Sequence, residues 1–181
     1  MLNDELIASL QEKMDELVET ESSASSARVG DTGIENVRLL CKRFHLVAKQ
    51  LEHRQRDREP FVVSDEYDAQ DLLHALLKIH FDDVRPEEWT PSQAGAAAKM
   101  DFLLKEERIV VEVKKTRKSL SVKELGEELI VDIERYRKHP NCDFLVCFVY
   151  DPEQRLGNPK GLEADLSRDE DGLIVEVIDV Q

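Results

Sequence analysis

The stretch KMDFLLKEERIVVEVKK, residues 99–115, constrains the fold of this chain more than any other. Two apolar runs of strand length flank the polar KEER, the pattern of an antiparallel hairpin. Either a two-residue turn at Glu106 and Glu107 or a symmetric four-residue loop over 105–108 makes the numbers of opposed residues sum to 213. One face of the ribbon then collects Met100, Phe102, Leu104, Ile109, Val111 and Val113, an apolar surface for packing against helices. Asp101 falls opposite Glu112, and Lys114 follows two residues on along the same face. Opposed like charges on an antiparallel pair, with Cβ atoms roughly 4.5–5.5 Å apart, are destabilising. A divalent cation offsets that repulsion, and paired carboxylates suit Mg2+, with water and phosphate completing the octahedron. The alternative is a solvent-facing strand side carrying a cross-strand ion pair.

The rest of the chain is organised around this hairpin. Residues 1–18 place Ile7, Leu10, Met14 and Leu17 at 3-4 spacing, with Leu6 and Val18 beside them, as an amphipathic helix does. A helix so short and acidic needs a partner, either its own copy in a homo-oligomer or the rest of the domain. Residues 19–33, ETESSASSARVGDTG, lack periodicity and read as a flexible linker. The folded domain, residues 34–181, opens on a helical stripe of Val37, Leu40, Cys41, Phe44, Val47, Ala48 and Leu51. A second helix is expected from an N-cap at Ser64 through DEYDAQDLLHALLKIHF. Its stripe of Glu66, Gln70, Leu73 and Leu77 carries a carboxylate and an amide into apolar register. After the hairpin come a helix over 121–138, a buried strand FLVCFVY at 144–150 and a half-exposed strand GLIVEVIDV at 172–180. The GNPKG turn at 157–161 is too short a glycine pattern for a phosphate loop.

Charge narrows the partners. A formal net charge of −14 argues against a general nucleic-acid binder. Yet the excess acid lies toward the ends: residues 36–150 hold 21 acids and 20 bases, so an anionic ligand can be met locally. Cys41, Cys142 and Cys147 fit no zinc spacing and read as reduced. No run of about 18 apolar residues is present, which excludes a membrane-spanning helix. The N-terminus has no secretory pattern, leaving the cytoplasm as the expected address. His74 and His80 match neither a zinc motif nor a catalytic dyad.

Asp101, followed after ten residues by Glu112-Val113-Lys114, resembles the D…ExK signature of the PD-(D/E)XK nuclease superfamily. DEYDAQDLLHALL, FDDVRPEEWTPSQAG, the hairpin, DIERYRKHP and CFVYDPEQRLGNPKGLEADLSR together resemble its DpnII/MboI-like endonuclease domain, over roughly residues 36–181. The resemblance implies an α/β (α+β) fold with a restriction-endonuclease-like αβββαβ core, a mixed central sheet flanked by helices, and here an N-terminal helical extension. It implies a metal-dependent endonuclease acting on DNA, with Mg2+ as cofactor and Mn2+ able to substitute. Asp101 and Glu112 carry over as metal ligands with the Val113 carbonyl, and Lys114 as the group that orients or activates water and stabilises the phosphate. Glu66 matches the acid that often completes such a site. Met100 stands where the superfamily name has proline, and Glu128 where many relatives have glutamine.

Other residues are read around that set. Lys99, Arg117 and Lys118 are expected nucleic-acid contacts, and Gln70 and Asp132 are expected to support the site. Glu66 has the competing reading of a helix-dipole partner, and Glu128 reads as surface charge. No segment suited to reading bases in the major groove is evident. The chain is therefore expected to depend on a recruiting protein partner, as an effector in bacterial defence or DNA processing. A non-catalytic binding or scaffold subunit and a ribonuclease are the alternatives.

Overall fold

The computed structural model describes residues 32–89, 99–137, 139–170 and 172–181. The expected N-terminal helix at 1–18 and nearly all of the linker lie outside those residues. Helix α1 covers residues 32–52, so the last two residues of the expected linker are already helical. Helix α2 (Glu66–Leu77) leads into strands β1 (Val84–Pro86), β2 (Phe102–Leu104) and β3 (Ile109–Lys115). Helix α3 (Val122–Tyr136), strand β4 (Phe144–Tyr150), helix α4 (Pro159–Leu166) and strands β5 (Arg168–Glu170) and β6 (Leu173–Val180) follow. From α2 to β4 this is the αβββαβ order. The six strands form one mixed sheet ordered β1-β2-β3-β4-β6-β5, with β3, β4 and β6 mutually parallel and the other pairs antiparallel.

Helices cover both faces. On one, Val37, Cys41 and Phe44 of α1 and Leu73 and Leu77 of α2 pack on Phe102, Leu104, Ile109, Val111, Val113 and Phe148. On the other, Leu125, Leu129, Ile133 and Tyr136 of α3 pack on Leu103, Val110, Leu145, Cys147 and Val175. A central parallel strand meets apolar side chains above and below, which is why FLVCFVY is an unbroken apolar run. Truncating a fully buried ring such as Phe148 to Ala in this setting costs about 3–5 kcal/mol.

The β2–β3 pairs Phe102 with Val111, Leu103 with Val110 and Leu104 with Ile109 have the expected register, closed by a loop at 105–108. Met100 departs from expectation. It lies in the α3-side core with Leu103 and Val110 rather than with Phe102. The alternation breaks at Asp101, which bends out of the strand and whose neighbour across the pairing, Glu87, has a φ of 53°. Asp101 there gives up strand pairing to accept from the Val113 N–H, so the side chain before it is not held to the alternation of β2.

Smaller differences have local causes. The N-cap of α2 is Asp65 rather than Ser64, because Asp65 and Asp68 complete a reciprocal capping box. The GNPKG segment starts α4, with Asn158 as N-cap and Pro159 in the first turn. Strands β1 and β5, three residues each, are too short to show alternation. All three cysteines are free and buried. Among the described residues no helix is long and apolar enough to cross a membrane.

Candidate active site

The site arises from a mismatch in strand length. Pairing between β2 and β3 ends at Phe102 and Val111, yet β3 continues to Lys115. Carboxylates take up the edge that β2 leaves open. The Val113 N–H donates to Asp101 Oδ2 at 2.7 Å, and the Lys115 N–H donates to Glu66 Oε2 at 3.4 Å. The N–H and C=O of one residue point to the same strand edge, so the Val113 carbonyl faces this opening too. Gln70 holds Asp101 from α2, its Nε2 donating to Oδ1 at 2.9 Å. Glu66 and Gln70, one helical turn apart, thus both reach the same edge.

Glu112 and Lys114 alternate with Val113 and lie on the face beneath α3. Lys114 Nζ donates to Glu112 Oε1 at 3.0 Å, and Tyr136 Oη donates to Glu112 Oε2 at 2.7 Å. Asp132, one turn before Tyr136, places Oδ2 3.1 Å from Lys114 Nζ as an ion pair without hydrogen-bond geometry. Its Oδ1 accepts from Arg135 at 2.6 Å. The alternative of a solvent-facing strand side does not hold: the Lys114 and Glu112 side chains are only 12% and 7% exposed.

Burial and mutual repulsion set the electrostatics. Burial, then the Glu112 charge, raises the Asp101 carboxyl above the ordinary range, against the Val113 N–H and Lys114. Burial also raises Glu112, opposed by Lys114 and reinforced by Asp132. For Lys114, burial works against the ammonium, but Glu112 and Asp132 outweigh it and leave its pKa above that of a free lysine. Burial and the adjoining carboxylate likewise raise the Tyr136 phenol, which stays protonated and donates.

Lys114, Asp132 and Arg135 line a cavity of 440 Å³ with Glu124, Glu127 and Glu128 of α3. Two further cavities lie close by. One, of 520 Å³, is lined by Glu66, Gln70 and Asp101 together with Tyr67, Lys99 and Glu87. Here Lys99 pairs with Glu87 at 2.9 Å and lies 5.5 Å over the Trp89 ring. The other, of 240 Å³, is lined by Arg117, Lys118 and Arg155 near the start of α3. Glu128 is exposed on α3, as a surface charge would be. A family model described as DpnII-MboI, REase_DpnII-MboI, matches residues 35–181. The chain belongs to this restriction endonuclease family. No curated protein and no solved structure matches it.

Within this DpnII-MboI chain the donors fit a hard divalent cation. Two buried carboxylates are disfavoured as anions by burial and by negative charge beside them. Asp101 lies on a strand edge that also presents a backbone carbonyl, and Glu112 on the neighbouring face, held by Lys114 and Tyr136. Among the described residues, no three His, Cys, Asp or Glu side chains form a ready cage, so carbonyl and water oxygens would complete such a site. Sequence reasoning missed Tyr136 as the partner of Glu112. The signal was present in its spacing of four from Asp132, but which face α3 presents depends on tertiary packing. Arg155 was missed because it comes from a distant loop.

Proposed function

We propose that this DpnII-MboI family chain is a Mg2+-dependent endonuclease that hydrolyses DNA phosphodiester bonds. The observation that carries the reading is the open edge of β3, where Asp101 leaves its strand to meet the backbone beside Glu112 and Lys114. Asp101, Glu112 and the Val113 carbonyl would hold the cation, with Glu66 near the same edge. Bound there, a divalent ion supplies a water acidic enough to attack at neutral pH and neutralises charge on the phosphate.

The protein's own groups do the rest. Lys114, kept charged by Glu112 and Asp132, acts as a fixed cation toward the developing negative charge rather than as a proton acceptor. Tyr136 fixes the rotamer of Glu112, and Gln70 that of Asp101. Arg117 and Lys118 supply phosphate contacts, which position the strand without reading sequence. With a net charge of −14 opposing long-range attraction, the chain works when a protein partner brings it to DNA, in bacterial defence or DNA processing. The segment at 1–18 is the proposed means of pairing two copies, since cutting both strands of a duplex calls for two sites.

The test is incubation of the purified protein with plasmid DNA and magnesium, with and without EDTA, beside Lys114→Ala. Nicking or linearisation that EDTA and the substitution both stop is the expected result. An active Lys114→Ala protein rejects the assignment. Cleavage of RNA in place of DNA redirects it to a ribonuclease, and no cleavage of either to a binding subunit.

A further inference from the structure

The 520 Å³ cavity beside Asp101 is of a size that holds a small molecule, roughly 300–1,000 Å³ for such sites. Its walls come from α2 and from the segments around Glu87 and Asp101. Because Glu66, Gln70 and Asp101 line it, whatever fills it adjoins the groups assigned to the cut. Apart from a cation held at Asp101, its charge disfavours a further phosphate as the occupant. Among the described residues, Glu66, Asp71, Glu87 and Asp101 face a single lysine, Lys99, whose charge Glu87 already balances. His74 also lines it, and burial lowers its pKa and so disfavours its charged form. An acceptor-rich wall suits the amino groups of bases and the hydroxyls of sugars.

Two further features suit a flat aromatic ligand. Tyr67 lines the cavity yet is 74% exposed, an unusual amount of bare aromatic surface beside a site. It sits in the first turn of α2, which the Asp65 and Asp68 capping box pins in place, so the ring is presented from a rigid mount. Met100 and Phe102, both buried, supply apolar lining.

Resting on the nuclease reading, we propose that this cavity receives the base and sugar of an unpaired nucleotide next to the scissile phosphate, with the base stacked on Tyr67. A base inside a duplex is already stacked and paired, so it enters only when single-stranded, mismatched or extruded. The phosphates run instead toward Arg117, Lys118 and Arg155.

The test compares a labelled single-stranded oligonucleotide with its duplex by fluorescence anisotropy, using the full chain in Ca2+ at low salt and intact strands verified on a gel. Tyr67→Ala is expected to weaken single-strand binding about 5- to 100-fold, the loss of one base–aromatic stack, and to leave duplex binding unchanged. Tyr67→Phe, which keeps the ring, restores the single-strand affinity. Equal losses on both substrates, no loss on the single strand, or binding of neither by the unsubstituted protein overturns the proposal. Magnesium-dependent cleavage by the same unsubstituted protein, stopped by Lys114→Ala, then shows whether the nuclease reading stands without it.

Discussion

Among the described residues, the cavity beside α2 is walled by Glu66, Asp71, Glu87 and Asp101 against one lysine, whereas the cavity at the start of α3 is walled by Arg117, Lys118 and Arg155 and no acid. Both adjoin the same end of β3. A nucleotide strand is itself two-sided, anionic along its phosphates and neutral at its bases, and the two cavities divide along that line. The difference shows why a net charge of −14 is a poor guide to the ligand of a particular site. Screening limits distant charges to about 8 Å at physiological salt, so local composition decides what binds.

The largest expected effect lies at Lys114, which lines neither of these two cavities but another against α3. Lys114→Ala removes the fixed cation and is expected to lower the cleavage rate on the order of 10²–10³-fold, measured on plasmid DNA. It also removes the counter-charge between Glu112 and Asp132, leaving only Arg135 on Asp132, so its melting temperature should fall as well. Assays therefore belong well below that temperature, with circular dichroism as the control. Next comes Tyr136→Phe, which frees the Glu112 carboxylate while keeping the ring in the α3 core. Loss of an outer partner of a metal ligand commonly costs about 10- to 100-fold in affinity or activity. A loss in that range with an unchanged melting profile is the expected outcome.

A third pair of variants separates the cavities directly. Charge reversal at Arg117 and Lys118 is expected to weaken duplex binding about tenfold or more on every sequence alike. It should also flatten the slope of log K against log salt by about 2. Asp71→Asn with Glu87→Gln, in the acidic cavity, should leave that slope unchanged. If both pairs moved it equally, the assignment of phosphates to one side would fail. The smallest effect is on stability and lies away from both. Burial, Asp151 and Glu163 push the Asp179 carboxyl up to about 7. The folded state then keeps a proton that the unfolded chain gives up near pH 4, so stability declines as pH rises from about 4 through 7. Asp179→Asn removes that decline. Chemical denaturation should show the variant about 1 kcal/mol more stable at pH 8, after solvent screening is allowed for, and unchanged near pH 3.

What was legible in the sequence depended on period and length. The hairpin register followed from the run of apolar residues alone, since a slip of one residue would have turned every side chain to the wrong face. Strand β4 and the Glu66–Gln70 stripe were legible for the same reason: each pattern extends over several residues. The position of Met100 was not, because the alternation breaks where β2 begins and Asp101 turns to the Val113 N–H, which spacing does not show. Strands β1 and β5 exist through their neighbours' ladders rather than through their own residues. At the site, the spacing places Asp101 across from Glu112, but pairing ends at Phe102 and Val111 and Asp101 turns to the Val113 N–H instead. Tyr136 on Glu112 and Asp132 on Lys114 depend on how α3 is rotated over the sheet. Nor does spacing reveal that β2 stops short and leaves the edge of β3 to side chains.

The account's central claim is that Asp101 and Glu112 share one divalent cation at that edge. Isothermal titration of the full chain with Mg2+ or Mn2+ tests it most directly, beside Asp101→Ala and Glu112→Ala. The expected result is one site in the unsubstituted protein, lost in the first variant and weakened in the second. Equal binding by all three proteins would contradict the claim.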